Sequence, residues 1–126
     1  MTPEDFPRHF AAAFAAQDIA GLQAFFGPDA SLQSLTGAWA ESPEEIAAVF
    51  EAEAAGIFAR ARLVTGKGSI RPLNPFAALL RQRFTISGAL TETGTEIPRF
   101  PAMLIAVLER ADMQWQVQSL TFTALP

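Results

Sequence analysis

The chain has 126 residues, enough for one domain around a single core. Half of them are hydrophobic and only 17% are charged, which excludes a disordered acidic chain despite the formal charge of −4. Nine Lys and Arg are spread along the sequence with no run longer than a pair of nearby arginines, so a nucleic-acid partner is not expected. The lack of Cys removes disulfides and thiolate metal sites, and a single His leaves only carboxylates as metal ligands; no metal and no cofactor are expected.

At the N-terminus, Thr2 as cap, Pro3 at the first helical position and Asp5 near the positive end predict a helix. Its Phe6, Phe10, Ala13 and Phe14 recur at helical spacing and form one buried face. Acids and prolines stand where a secretory leader needs a basic start and an apolar run, so the expected compartment is the cytoplasm. Asp18 caps a second, short helix whose Ile19, Leu22, Phe25 and Phe26 share a face, and Gly27 with Pro28 is its stop signal. Ala30 to Leu35 has strand length, and Gly37 leads into a loop carrying Trp39. Ser42, Pro43 and Glu45 then make a capping box for a third helix, with Ile46, Val49, Phe50, Ile57 and Phe58 on its apolar side. The acids of that helix, Glu44, Glu45, Glu51 and Glu53, read as a solvated start and face.

After Arg60 the apolar period changes from helical to alternating, which predicts strands over Ala61–Ile70, Leu79–Leu90, Pro98–Arg110 and Gln114–Ala124. The longest apolar stretch, Ala102 to Leu108, is far below the ~20 residues of a membrane helix, so no membrane association is expected. Helices first and strands afterwards predict a single α+β domain over residues 1–126: a cone-shaped, curved antiparallel sheet with three N-terminal helices packed in its concave face.

The run QDIAGLQAFFGPDASLQ, the SPEEIAAVF helix start and a last strand ending in WQVQSLTFT resemble the nuclear transport factor 2-like superfamily, which includes ketosteroid isomerases, SnoaL-type polyketide cyclases and scytalone dehydratase. The resemblance covers nearly the whole chain, and RQRFTISG is similar to a strand of bacterial members. It implies a cone whose mouth admits a small, mostly apolar or amphipathic molecule, and a sheet whose outer face pairs with a second subunit. With the family pattern fixing the inward face, alternation places Gln82, Phe84 and Ile86 inside with Arg81, Arg83 and Thr85 outside. In the next strand Leu104, Ala106 and Leu108 point in while Met103, Ile105 and Val107 point out. In the last strand Gln118, Leu120 and Phe122 point in, and Trp115, Val117, Ser119 and Thr121 out. The outward apolar residues make a patch too large for a monomer, so a homodimer through the sheet is expected.

The chemistry of ketosteroid isomerases, itself a worked example of carboxyl tuning, uses a carboxylate base with a tyrosine and a protonated acid as oxyanion hole. Aligned on QDIAGL, the tyrosine position falls on Phe10, the base on Ser34 and the second acid on or near Leu104. Phe and Leu donate no hydrogen bond and Ser is no base near neutrality, so isomerisation by that route is disfavoured. The chain has no Tyr, and one histidine, His9, cannot supply a paired-histidine mechanism; it reads as a surface residue. The expected pocket is therefore apolar, lined by Phe10, Phe14 and Phe50 from helices and by Phe84, Leu104 and Phe122 from strands. Ser34, Gln82 and Gln118 orient the occupant, with Trp39 as a lid or as cover for the core edge. Other readings stand beside this binder: an assembly module whose pocket is filled by its own aromatic side chains and whose outer sheet face does the work, a SnoaL-like cyclase or isomerase with non-standard residues, and a cyclase or hydrolase using Asp29 or Glu96.

Overall fold

The computed structural model describes all residues, 1–126. The order is α1 (Phe6–Ala16), α2 (Ile19–Ala24), β1 (Phe26–Gln33), β2 (Trp39–Ala40), α3 (Pro43–Ala55), β3 (Arg62–Asn74), β4 (Ala77–Ser87), β5 (Phe100–Ala111) and β6 (Gln114–Ala124). The six strands form one curved sheet in the order β2-β1-β6-β5-β4-β3, and the three helices lie on one side of it. The α+β architecture follows the sequence expectation, with one refinement. β1 runs parallel to β6, so the sheet is mixed, and the other four pairings are antiparallel.

Local chemistry explains most boundaries and the places where they move. Asp18 caps α2 by accepting from the Gly21 amide, and Ser42 caps α3 by accepting from the Glu45 amide. α1 begins three residues later than Pro3 suggested, because the Thr2 carbonyl and hydroxyl bond the Asp5 backbone and side chain in a turn of their own. The Thr2 hydroxyl, helped by its backbone contact and by Arg8, holds the Asp5 carboxyl below its ordinary value. The stability gained there is present above the unfolded-state pKa and is lost as pH falls through the lowered one. α2 ends at Ala24, and Phe26, Gly27 and Pro28 belong to β1, because the strand absorbs them as an irregularity in its pairing to β6. Trp39 lies in the two-residue β2, paired with Gln33, where a loop was expected. α3 stops at Ala55 before Gly56, leaving Ile57 and Phe58 in the following turn.

Gly88 ends β4 at φ +79°, and a Cβ placed on it would lie 2.3 Å from the Arg60 carbonyl oxygen. Left-handed backbone and a backbone clash act together there, so Gly88→Ala is expected to cost about 2–4 kcal/mol. Urea denaturation checks this, and a midpoint equal to that of the unmodified chain contradicts the close approach.

Candidate functional site

α1 and α3 press their aromatic faces into the hollow of the sheet. Phe6, Phe10, Phe84 and Leu104 have no measurable exposure, and Phe14, Phe50 and Phe122 are buried. Phe10 is the hub. Its ring lies 5.9 Å from Phe122, 6.0 Å from Phe14, 6.3 Å from Phe50 and 6.5 Å from Phe84. Phe84 and Phe122 close the ring of contacts at 5.8 Å. The structure thus brings six of the expected pocket residues together, as a packed aromatic core. The cavity beside them measures about 10 Å³, near Phe14, Leu22, Phe50 and Phe58. That is room for about one water molecule.

The inward polar groups have partners within the protein. Gln82 is buried on the inner face of β4, and its amide nitrogen donates to the Gly66, Lys67 and Arg83 carbonyls at 2.9, 3.3 and 2.9 Å. Those bonds lock a bulge in β3, where Gly66 and Lys67 together oppose Arg83. Ser34 is buried in the β1–β2 turn, with its hydroxyl 2.9 Å from that of Thr36. Thr36 in turn donates to the Glu53 carboxylate at 2.7 Å.

Glu53 corrects the view of α3 as carrying only solvated acids: it is 7% exposed. It lies three residues after Phe50 and seven after Ile46, on the helix face that enters the core, and that spacing was readable in the sequence. The chain Ser34–Thr36–Glu53 joins two buried polar side chains through the exposed Thr36 and reaches the small cavity, which Gln17 also borders. Thr36→Val removes the donor to a buried carboxylate and is expected to cost about 1–3 kcal/mol at neutral pH. The loss should shrink in a Glu53→Leu background, measured as a double-mutant cycle in urea; undiminished loss there would detach Thr36 from Glu53.

Two expected pocket residues stand elsewhere. Trp39 is 69% exposed at the sheet edge and covers neither pocket nor core. Gln118 is the extra residue of a β-bulge: Val107 pairs with Ser119 and Leu108 with Val117, so Gln118 has no partner on β5. Its amide lies against Gly27, beside the Gln116 side chain, at the β1–β6 junction. The same bulge reverses the alternation of the residues before it. Val117 is fully buried and Trp115 packs against the core, both on the helix side, where the sequence had placed them outside.

On β4 and β5 the facing is as the alternation gave it. Arg81, Arg83 and Ile105 are exposed, while Gln82, Phe84, Leu104 and Leu108 are buried. Arg99, His9, Asp29 and Glu96 are exposed. No three His, Asp or Glu side chains are close enough to share a metal ion, and no helix is long and apolar enough to cross a membrane.

No family model and no curated protein matches the sequence. Solved structures do match its shape over nearly the whole chain. LinA superposes with a TM-score of 0.87 at 14% identity, over 98% of this chain and 83% of its own. A nuclear transport factor 2-like protein with a cystatin-like fold from Novosphingobium aromaticivorans superposes at 0.77 and 16% identity, covering 98% and 79%. This chain has the nuclear transport factor 2-like fold. A candidate calcium/calmodulin dependent protein kinase II association domain from Xanthomonas campestris shares it at 0.82 and 19% identity, covering 98% and 85%. Within this fold Phe10 stands at the centre of the aromatic cluster.

Proposed function

We propose that this nuclear transport factor 2-like domain is a self-association module that pairs with a second copy through the outer face of β4, β5 and β6. The observation that carries this is the contrast between the two faces of the sheet. Between α1, α3 and the sheet the inner face is filled by the protein's own rings, with a cavity of about 10 Å³ beside them and open recesses of about 240 and 260 Å³ only toward the N-terminal turn and β3, while all three helices leave the outer face uncovered. Cross-strand pairing groups Leu79 with Val107 there, with Ile105 and Met103 next along β5. Three strands spaced ~4.8 Å apart and ~35 Å long offer roughly 500 Å² of sheet, the greater part of the roughly 800 Å² that one partner buries in a stable interface, with the flanking strands supplying the rest. The candidate association domain of Xanthomonas campestris, which has this fold, supports the same use of it.

A two-fold axis along β5 would set Arg81 and Arg83 of each copy against Ser119, Thr121 and Thr123 of the other. Like charges then stay apart. Sedimentation equilibrium tests the proposal: a mass of two chains, falling to one on dilution or on disruption of the outer face, supports it, and a single-chain mass at every concentration refutes it.

A small-molecule function, with an apolar or amphipathic ligand, is favoured by one feature, the buried Glu53 carboxylate beside the cavity between Phe14, Leu22, Phe50 and Phe58. In that case Phe50 must turn away to admit the ligand, and Glu53 with Thr36 and Ser34 supplies the polar end. Co-crystals with an apolar fluorescent probe distinguish the two: probe density against Glu53 supports a binder, and an unchanged aromatic core supports the association module.

A further inference from the structure

Charge is divided along this chain in a way that its total of −4 conceals. Between Arg60 and Thr91 stand Arg60, Arg62, Lys67, Arg71, Arg81 and Arg83, with no Asp or Glu. The spread of Lys and Arg seen in the sequence becomes a cluster once β3 pairs with β4. Ser69 lies opposite Arg81, and the bulge at Gly66 and Lys67 lies opposite Arg83. Arg81 and Arg83, two residues apart on one face, are separated by about 7 Å of strand. The single ion pair of the molecule is Arg8 with Asp5, so none of these cations is neutralised by a carboxylate.

Lys67, Gly68, Ser69, Arg81, Arg83 and Met103 line an open recess of about 380 Å³ on the outer side of this hairpin. Its shape depends on the inner face. Gln82 ties the bulge from behind, and a Cβ at Gly68 would lie 2.2 Å from the Gln82 side-chain oxygen, so Gly68 leaves the room that the buried amide occupies. The bulge is therefore a fixed feature that presents Lys67 beside two guanidinium groups.

We infer that the recess at the β3 bulge is an anion site that takes a phosphate dianion, held by Arg81, Arg83 and Lys67. Guanidinium groups bind tetrahedral oxoanions through paired N–H donors, and an ammonium adds a point charge. The Ser69 hydroxyl is a further donor in the recess. The open mouth suits a compact group carried by a small molecule. The site shares Arg81, Arg83 and Met103 with the face proposed to self-associate, so phosphate is titrated at a dilution where sedimentation equilibrium on the same sample gives single chains, and failure of one reading leaves the other standing.

Isothermal titration of the full chain at low chloride, with inorganic phosphate and with methyl phosphate, tests it. Saturable binding of one phosphate per chain is expected, weakened at least tenfold by Arg81→Gln and by Arg83→Gln. Arg62→Gln, which makes the same charge change at the far end of β3, should leave affinity unchanged. Methyl phosphate binding as well as inorganic phosphate identifies a phosphorylated compound as the occupant, and binding of inorganic phosphate alone identifies the free ion. Lys67→Gln repeats the test on an exposed side chain of the bulge should either arginine variant fail to fold. Absence of saturation, equal weakening by Arg62→Gln, or binding confined to long polyanions such as heparin overturns the inference.

Discussion

Phe10→Ala is expected to remove about 3–5 kcal/mol of stability, the range for deleting a buried aromatic ring. Small domains are stable by only about 5–15 kcal/mol, so the variant should lose a large share of its margin. The size follows from position. Phe10 has no exposure and touches rings from α1, α3, β4 and β6, so no single neighbour can move to fill the space. Each aromatic contact adds to the burial lost, by about 0.5–1.5 kcal/mol. Urea denaturation reads the loss, and a change below about 1 kcal/mol would show that the hollow is loosely filled and open to a ligand. Small apolar compounds should restore part of the stability of the variant and leave the unmodified chain unchanged.

Ile105→Arg is expected to convert a two-chain species into single chains, weakening association at least about 30-fold, the equivalent of a 2 kcal/mol interface anchor. Ile105 stands at the middle of the outer face, between Arg81 on β4 and Thr121 on β6, and is 40% exposed in the single chain. A guanidinium there meets the apolar patch of the partner and, across an axis along β5, the same guanidinium of the second copy, so both desolvation and like-charge repulsion oppose pairing. Stability within the chain should hardly change, because the side chain points away from the core. Ala12→Arg, on the exposed side of α1, is the control. Equal mass for all three proteins by sedimentation equilibrium contradicts the proposed interface.

Much of this architecture was legible in the residues. Caps at Asp18 and Ser42 and the aromatic spacing on the first and third helices located the helices, since each signal depends on neighbours within one or two turns. Alternation on β4 and β5 sorted their side chains onto two faces, and the family resemblance said which of the two points inward; the sorting holds because those strands pair with each other without interruption. The last strand shows where such reasoning stops. One unpaired residue at Gln118 turns Val117 and Trp115 inward, and no local pattern marks it, because a bulge is defined by the partner strand. Gln82 was placed on the correct face, but its partners are carbonyls of β3 and β4 that come into range only after pairing.

Sequence alone therefore determined the helices, the order of helices before strands and which aromatic residues share a face, because these rest on short-range periodicity and on the cost of exposing apolar surface. Only the tertiary structure decided that the rings fill the cone and that Glu53 is buried beneath Thr36. It also decided that Lys67, Arg81 and Arg83 gather in one recess. Each of those outcomes depends on the distance between side chains far apart in the chain, which is set by strand register and by how closely α3 approaches the sheet.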